Sequence, residues 1–242
     1  GAGASPALFL LIMTATETLA QLRAAGKESF RKTYLRHGVR EPLFGVPTPD
    51  LKSLKKKIKT DDALARELWQ SGWYDARILS TMIADPSKLD EATLDAWARD
   101  LDSYPIVNAF GELVSRTPHA RAKAEQWIAA DDESIESAGW KVLAHLALSD
   151  ATLPDSYFAT RLDAIRRAIG GAKNRVKHEM NNALIAIGGR NDALEAQAIA
   201  AAKAIGRVDV DHGDTACVTP DAVGYIAKMR ARRATGTARE SR

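Results

Sequence analysis

The residues best suited to chemistry gather between 173 and 190. Lys173, Asn174, Arg175, Lys177, His178, Asn181 and Asn182 fall within ten residues, and Arg190 follows Gly188-Gly189. Side chains of these types donate hydrogen bonds to phosphate and sugar oxygens. Asn174, His178, Asn181 and Asn182 share one face at helical spacing. The preceding Gly170-Gly171 turn leads into a helix whose first N–H groups favour an anion. A solvated polar face with ordinary caps is the competing reading. A second basic run, Lys52, Lys55, Lys56 and Lys59, can form a stripe while Leu51, Leu54 and Ile58 face inward.

The segment from Asp209 to Cys217 holds three carboxylates, His212 and the single cysteine. These are zinc-ligand types, but their spacing matches no ligand signature. The segment reads as a loop of Asx turns and caps, with no metal. One cysteine allows no intrachain disulfide and asks for no oxidising compartment. His37, His119 and His145 are isolated and read as packing or surface residues. No phosphate-binding loop, dinucleotide fingerprint or zinc-finger spacing occurs, so no cofactor is expected.

Charge is distributed unevenly. Residues 21–59 carry 11 Lys/Arg against 3 Asp/Glu, residues 60–155 carry 8 against 18, and residues 161–190 carry 7 against 2. Two basic blocks flanking an acidic middle would let a polyanion be gripped at two places. The longest clean apolar run, Ala7 to Met13, is far short of the ~20 residues of a membrane span, and no basic leader precedes it. The expectation is a cytoplasmic protein that meets no membrane.

The elements that must position these residues read as helices throughout. The chain of 242 residues is 45% hydrophobic and 27% charged, as in ordinary globular proteins. It is rich in Ala, Leu, Arg, Lys and Glu, shows no sustained alternation, and lacks hairpin signals. Gly26, Gly38, the proline-rich loop 41–49, Asp85-Pro86, Thr117-Pro118 and the paired glycines punctuate about a dozen helices of roughly 10–17 residues. Thr48 reads as an N-cap with Pro49 at the first helical position. Leu64, Leu68 and Trp69, like Trp140, Leu143, Ala144 and Ala147, mark buried faces. Antiparallel pairs at spacings near 35–45 residues predict a solenoid of helical hairpins, with a compact bundle as the alternative. Residues 1–13 read as a tag or misassigned start, 14–234 as one domain, and 235–242 as a flexible tail.

Several segments resemble the bacterial DNA alkylation repair family, the AlkD-like glycosylases. They are FGVPTPDLKSLKKKIK from Phe44, ELWQSGWYDARILSTMIADP from Glu67, LDSYPIVNAF from Leu101, ESAGWKVLAHLA from Glu136 and NRVKHEMNNALIAIGGRN from Asn174. The resemblance covers about residues 15–205, in order. It implies an all-α fold, an α–α superhelix (solenoid) of HEAT-like repeats with a concave basic surface for duplex DNA. It also implies excision of cationic N3- and N7-alkylated purines, as by 3-methyladenine and 7-methylguanine glycosylases.

In that family an aspartate stabilises the positive charge that develops on the sugar, with two tryptophans and an arginine beside it. Those positions fall here on Asn108, Tyr104, Asn182 and Ser137. Asn108 keeps the shape of the acid without its charge. Losing one preorganised electrostatic group costs ~3–4 kcal/mol in an active site, so no residue is assigned a catalytic role. The leading expectation is a monomeric DNA-binding member that recognises damaged or deformed DNA through its backbone, with glycosylase activity reduced or absent. Its DNA-binding residues would be Tyr104, Asn108, Trp140, Lys141, Lys173, Asn174, Arg175, Lys177, His178, Asn181, Asn182 and Arg190. Trp140 stands apart from four core tryptophans because it adjoins the former arginine position. The alternatives are an active glycosylase using substitute residues such as Glu112 or Glu136, and a protein-binding scaffold.

Overall fold

Helix starts are set by local side chains. Thr14 and Glu17 form a reciprocal capping box, the hydroxyl accepting from Glu17 N and the carboxylate from Thr14 N. Asp61, Asp90, Asp132 and Asn191 cap later helices in the same sense, each accepting from a first-turn N–H. Thr48 does not follow suit. The helix already includes it, Pro47 occupies the cap position, and no side-chain cap forms. The proline at the second helical position has no N–H to satisfy, so a cap there is dispensable.

The computed structural model describes residues 13–240, with side chains through 232. Thirteen α-helices occur among them: α1 (Ala15–Ala25), α2 (Glu28–Arg36), α3 (Thr48–Ile58), α4 (Asp62–Gln70), α5 (Tyr74–Ile83), α6 (Glu91–Ala98), α7 (Tyr104–Val114), α8 (Ala120–Ile128), α9 (Glu133–Ser149), α10 (Asp155–Ala168), α11 (Asn174–Gly188), α12 (Asp192–Ile205) and α13 (Ala222–Glu240). The expected leader, residues 1–12, lies outside the described residues. The last helix runs past 234, so the expected tail falls partly on its end and partly outside them. Among the described residues no helix is long and apolar enough to cross a membrane.

Two rows of helices make the solenoid. Consecutive packing of α3, α5, α7, α9, α11 and α13 builds one row. The other row is α4, α6, α8, α10 and α12, joined by side chains. Trp69 of α4 stacks on Trp97 of α6 at 4.3 Å. Asp95 of α6 accepts from the buried Lys123 Nζ and from Trp127 Nε1 of α8. Arg161 of α10 pairs with Glu125 of α8 at 3.7 Å. Between the rows runs an aromatic core of Trp69, Phe110 and Trp127, with ring centroids 5.8 and 5.5 Å apart.

The repeat is shorter at the start than the sequence spacing predicts. The second-row helices begin at residues 62, 91, 120, 155 and 192, in steps of 29, 29, 35 and 37. The early helices are only eight to eleven residues long, so each hairpin closes sooner. Trp140 departs from expectation in another way. It is 2% exposed and belongs to the core with Val142 and Leu143, so it offers no face to a ligand.

Candidate nucleic-acid interface

The first row of helices presents one continuous hollowed face. Its upper recess, about 580 Å³, is lined by Thr48 and Leu51 of α3, Tyr74 of α5, Tyr104, Asn108 and Glu112 of α7, and Lys141 and His145 of α9. A second recess of about 220 Å³ shares Tyr104 and adds Ser137 of α9 with Arg175 and Glu179 of α11. A third, also about 220 Å³, shares Lys141 and adds Asn182 of α11 with Tyr225 of α13. The fold therefore brings Tyr104, Asn108, Ser137, Lys141, Arg175 and Asn182 onto one groove from three helices far apart in sequence.

Helix α7 supplies the centre. The Tyr104 hydroxyl meets His37 Nδ1 at 2.7 Å, and the Arg175 guanidinium lies over its ring at 4.9 Å. Burial pushes the Tyr104 phenol up, the neighbouring Cys217 thiol adds to that, and Arg175 opposes it. One turn on, Asn108 Oδ1 is buried with no hydrogen-bond partner. Gly111 lets Lys141 cross α7 closely, since a Cβ there would sit 2.6 Å from Lys141 Cγ. Lys141 Nζ then reaches 3.8 Å from Glu179 Oε2.

Charge in the groove is mixed where a basic surface was expected. Arg40, Lys141 and Arg175 share its walls with Asp102, Glu112, Glu133 and Glu179. The end of the groove is more basic. Lys52 and Lys55 are exposed and stand four and seven residues after Thr48, on its side of α3. Desolvation lowers the pKa of both His145 and His178, favouring their neutral forms. Burial pushes the Glu136 carboxyl up against the opposing pull of Lys173. Of the two substitute carboxylates considered from sequence, Glu112 lines the groove beside Asn108 and Glu136 does not.

Other expected contact residues are committed elsewhere. Asn181 is 2% exposed and donates to Pro220 O. Asn174 exchanges two 2.8 Å hydrogen bonds with the Asp211 backbone. Arg190 donates to Ala147 O and Leu153 O and lies over Phe158, closing the α9–α10 connection. Lys173 donates to Asp131 O. His178 packs edge-on against His212 at 5.5 Å. Lys177 is half-exposed but lines none of the three recesses. The start of α11 holds an anion of its own, because Glu133 Oε1 accepts from Arg175 N at 2.7 Å.

The loop 206–221 crosses this end of α11. Asp211 Oδ1 accepts from Gly213 N in an Asx turn, and His212 meets Thr219 Oγ1. Among the described residues no three His, Cys, Asp or Glu side chains converge as metal ligands would. A recess of about 740 Å³ lies beneath this loop and holds none of the groove residues.

Arg40, Asp102, Glu133 and Glu179 line the groove without having been expected there from sequence, and Glu179 is the most buried of them. It is 2% exposed, accepts from Asn182 Nδ2 at 3.2 Å, and sits 3.9 Å from His178 Nε2. A signal was present, since Arg175, Glu179 and Asn182 are spaced four and three apart and so share a face.

Comparison with known proteins adds the family context. Residues 15–226 match the model of a family described as DNA alkylation repair enzyme. An uncharacterized protein of Listeria monocytogenes is 29% identical over 219 residues, covering 88% of this chain and 95% of its own. A counterpart in Listeria innocua has the same identity and coverage. A solved structure superposes with a TM-score of 0.84 at 31% identity, over 91% of this chain and 95% of that one. It is described as one of a new family of proteins related to the HEAT-like repeat DNA glycosylases with affinity for branched DNA structures.

Proposed function

We propose, from the premise that this chain belongs to the DNA alkylation repair enzyme family, that it binds branched or otherwise deformed DNA along the groove and excises alkylated bases weakly or not at all. The structural neighbour's affinity for branched DNA supports the choice of ligand. The observation that carries the reading is the groove itself. It assembles Tyr104, Asn108, Ser137 and Asn182 on one surface, yet none of these four side chains bears a negative charge.

That chemistry explains both halves of the proposal. Breaking a glycosidic bond leaves positive charge on the sugar, and a fixed carboxylate beside it lowers the barrier. Asn108 offers an amide of the same shape, which cannot oppose a developing cation. Arg40, Lys141 and Arg175 suit phosphates, and phosphate contacts set position without reading sequence. Deformed DNA would be selected by whether its backbone fits the curve of the groove. The protein would act as a monomer and without a cofactor.

A mobility-shift comparison of three-way junctions and linear duplex of equal length tests the proposal. Tighter binding to the junction is expected, and no binding to either at low salt would overturn it. One observation keeps a second reading alive. Glu112 puts a carboxylate on the groove wall one turn from Asn108, where it would serve an active glycosylase. Release of 7-methylguanine that Glu112→Gln abolishes would favour that reading.

A further inference from the structure

The 220 Å³ recess between α7, α9 and α11 has a composition that backbone binding does not use. Its volume is below the ~300–1,000 Å³ typical of drug-sized ligands, which limits the occupant to about one ring system. Ser103 and Ser137 line it on residues only 7% and 2% exposed, and their hydroxyl oxygens are fully buried without a hydrogen-bond partner. Buried hydroxyls of this kind ordinarily have partners.

Glu179 lies on the same wall and is also poorly satisfied. Oε2 accepts one 3.2 Å bond from Asn182 and has Lys141 Nζ 3.8 Å away. Oε1 has only His178 Nε2, at 3.9 Å, which is beyond hydrogen-bond reach. A buried carboxylate is costly unless donors are supplied to it. Of the two other carboxylates lining the recess, Glu133 is engaged by Arg175 N and Asp102 is half-exposed to water rather than buried. Arg40 and Arg175 also line the recess, so an occupant attached to a phosphate backbone meets cations there.

We infer that this recess receives one unpaired guanine base of bound DNA. The inference rests on the DNA-binding reading above. A carboxylate with two accepting oxygens matches two neighbouring N–H donors. On its pairing edge guanine alone of the four DNA bases places two donors side by side, N1–H and the N2 amino group. Adenine and cytosine set an acceptor next to their amino group, and thymine flanks its N–H with carbonyls. Glu179 takes the two donors, and the buried hydroxyls of Ser103 and Ser137 turn about Cα–Cβ into the recess to donate to the acceptors O6 and N7. A base already unpaired at a branch point reaches the recess without the cost of extrusion from an intact duplex.

The test uses the full chain and four three-way junctions that differ in one unpaired position at the branch: deoxyguanosine, deoxyinosine, deoxyadenosine or an abasic site. Deoxyinosine lacks only the N2 amino group. Deoxyguanosine should bind about tenfold tighter than each of the others, the scale of one bidentate base contact. Glu179→Gln should erase that preference, and Ser137→Ala should reduce it. Equal affinity for all four junctions, or preference for another base, overturns the inference and leaves the DNA-binding reading standing. Failure to bind any of them overturns both. The comparison on the unaltered protein decides the matter even if a variant fails to fold.

Discussion

Replacing Lys141 by alanine should change how DNA binding responds to salt. Lys141 lies at the middle of the groove, where it lines the recesses of both Asn108 and Asn182. Gly111 makes room for its stem, and its ammonium group keeps a partner no closer than Glu179 at 3.8 Å. Together with Arg40, Lys52, Lys55 and Arg175 it makes about five cations along the track. Each phosphate neutralised contributes a slope of about −0.9 to the logarithm of affinity against the logarithm of salt. The unaltered protein should therefore show a slope near ~−4.5, and lose about 500-fold in affinity between roughly 50 and 200 mM salt. Lys141→Ala should flatten the slope to about −3.6, and the loss to about 150-fold. Fluorescence anisotropy titrations of a labelled three-way junction at four salt concentrations read both slopes. A slope for the unaltered protein shallower than about −2, or an identical slope for the variant, would refute the groove as a phosphate track.

Three further outcomes follow from the packing. Trp140→Ala should cost ~3–5 kcal/mol of folding stability in urea titrations, because the ring is core. An affinity loss with unchanged stability would contradict that placement. Acid should weaken the fold through His145 and His178. Burial lowers both pKa values, so their contribution is whole above the unfolded value of ~6.5 and fades as pH falls below it. The double variant His145→Asn, His178→Asn should flatten the stability profile between pH 6.5 and 5, and an unchanged profile would count against it. Asn174→Ala removes both bonds between α11 and the Asp211 backbone and leaves the Asn181 bond to Pro220 in place. Hydrogen exchange around residue 211 should speed up, and unaltered protection would show that the tether lies elsewhere.

Periodicity carried much of the fold. Leu64, Leu68 and Trp69, and the series from Trp140 to Ala147, are buried as their spacing required. Repeat length was harder to read, because helix ends are set by caps such as Asp90 rather than by the apolar pattern. The groove was legible only in part. Tyr104, Asn108, Ser137 and Asn182 converge because first-row helices stack in register, and they were found by resemblance. The polar cluster after residue 173 looked like one binding face. Yet Arg190 satisfies carbonyls of the α9–α10 connection, Asn181 holds the 206–221 loop, and Glu133 fills the start of α11. Backbone groups left over by tertiary packing made those demands, and no local pattern announces them. Glu179 was hidden for the opposite reason, since a charged residue on a polar helix reads as solvated until a neighbouring helix covers it.

The central claim is that the groove keeps DNA binding and lacks effective base excision. Purified protein should be incubated with a branched DNA that contains 7-methylguanine, and both retention and free base measured on the same samples. The account predicts a salt-sensitive complex and release no faster than the spontaneous loss. Release well above that background, or no complex at low salt, would contradict it.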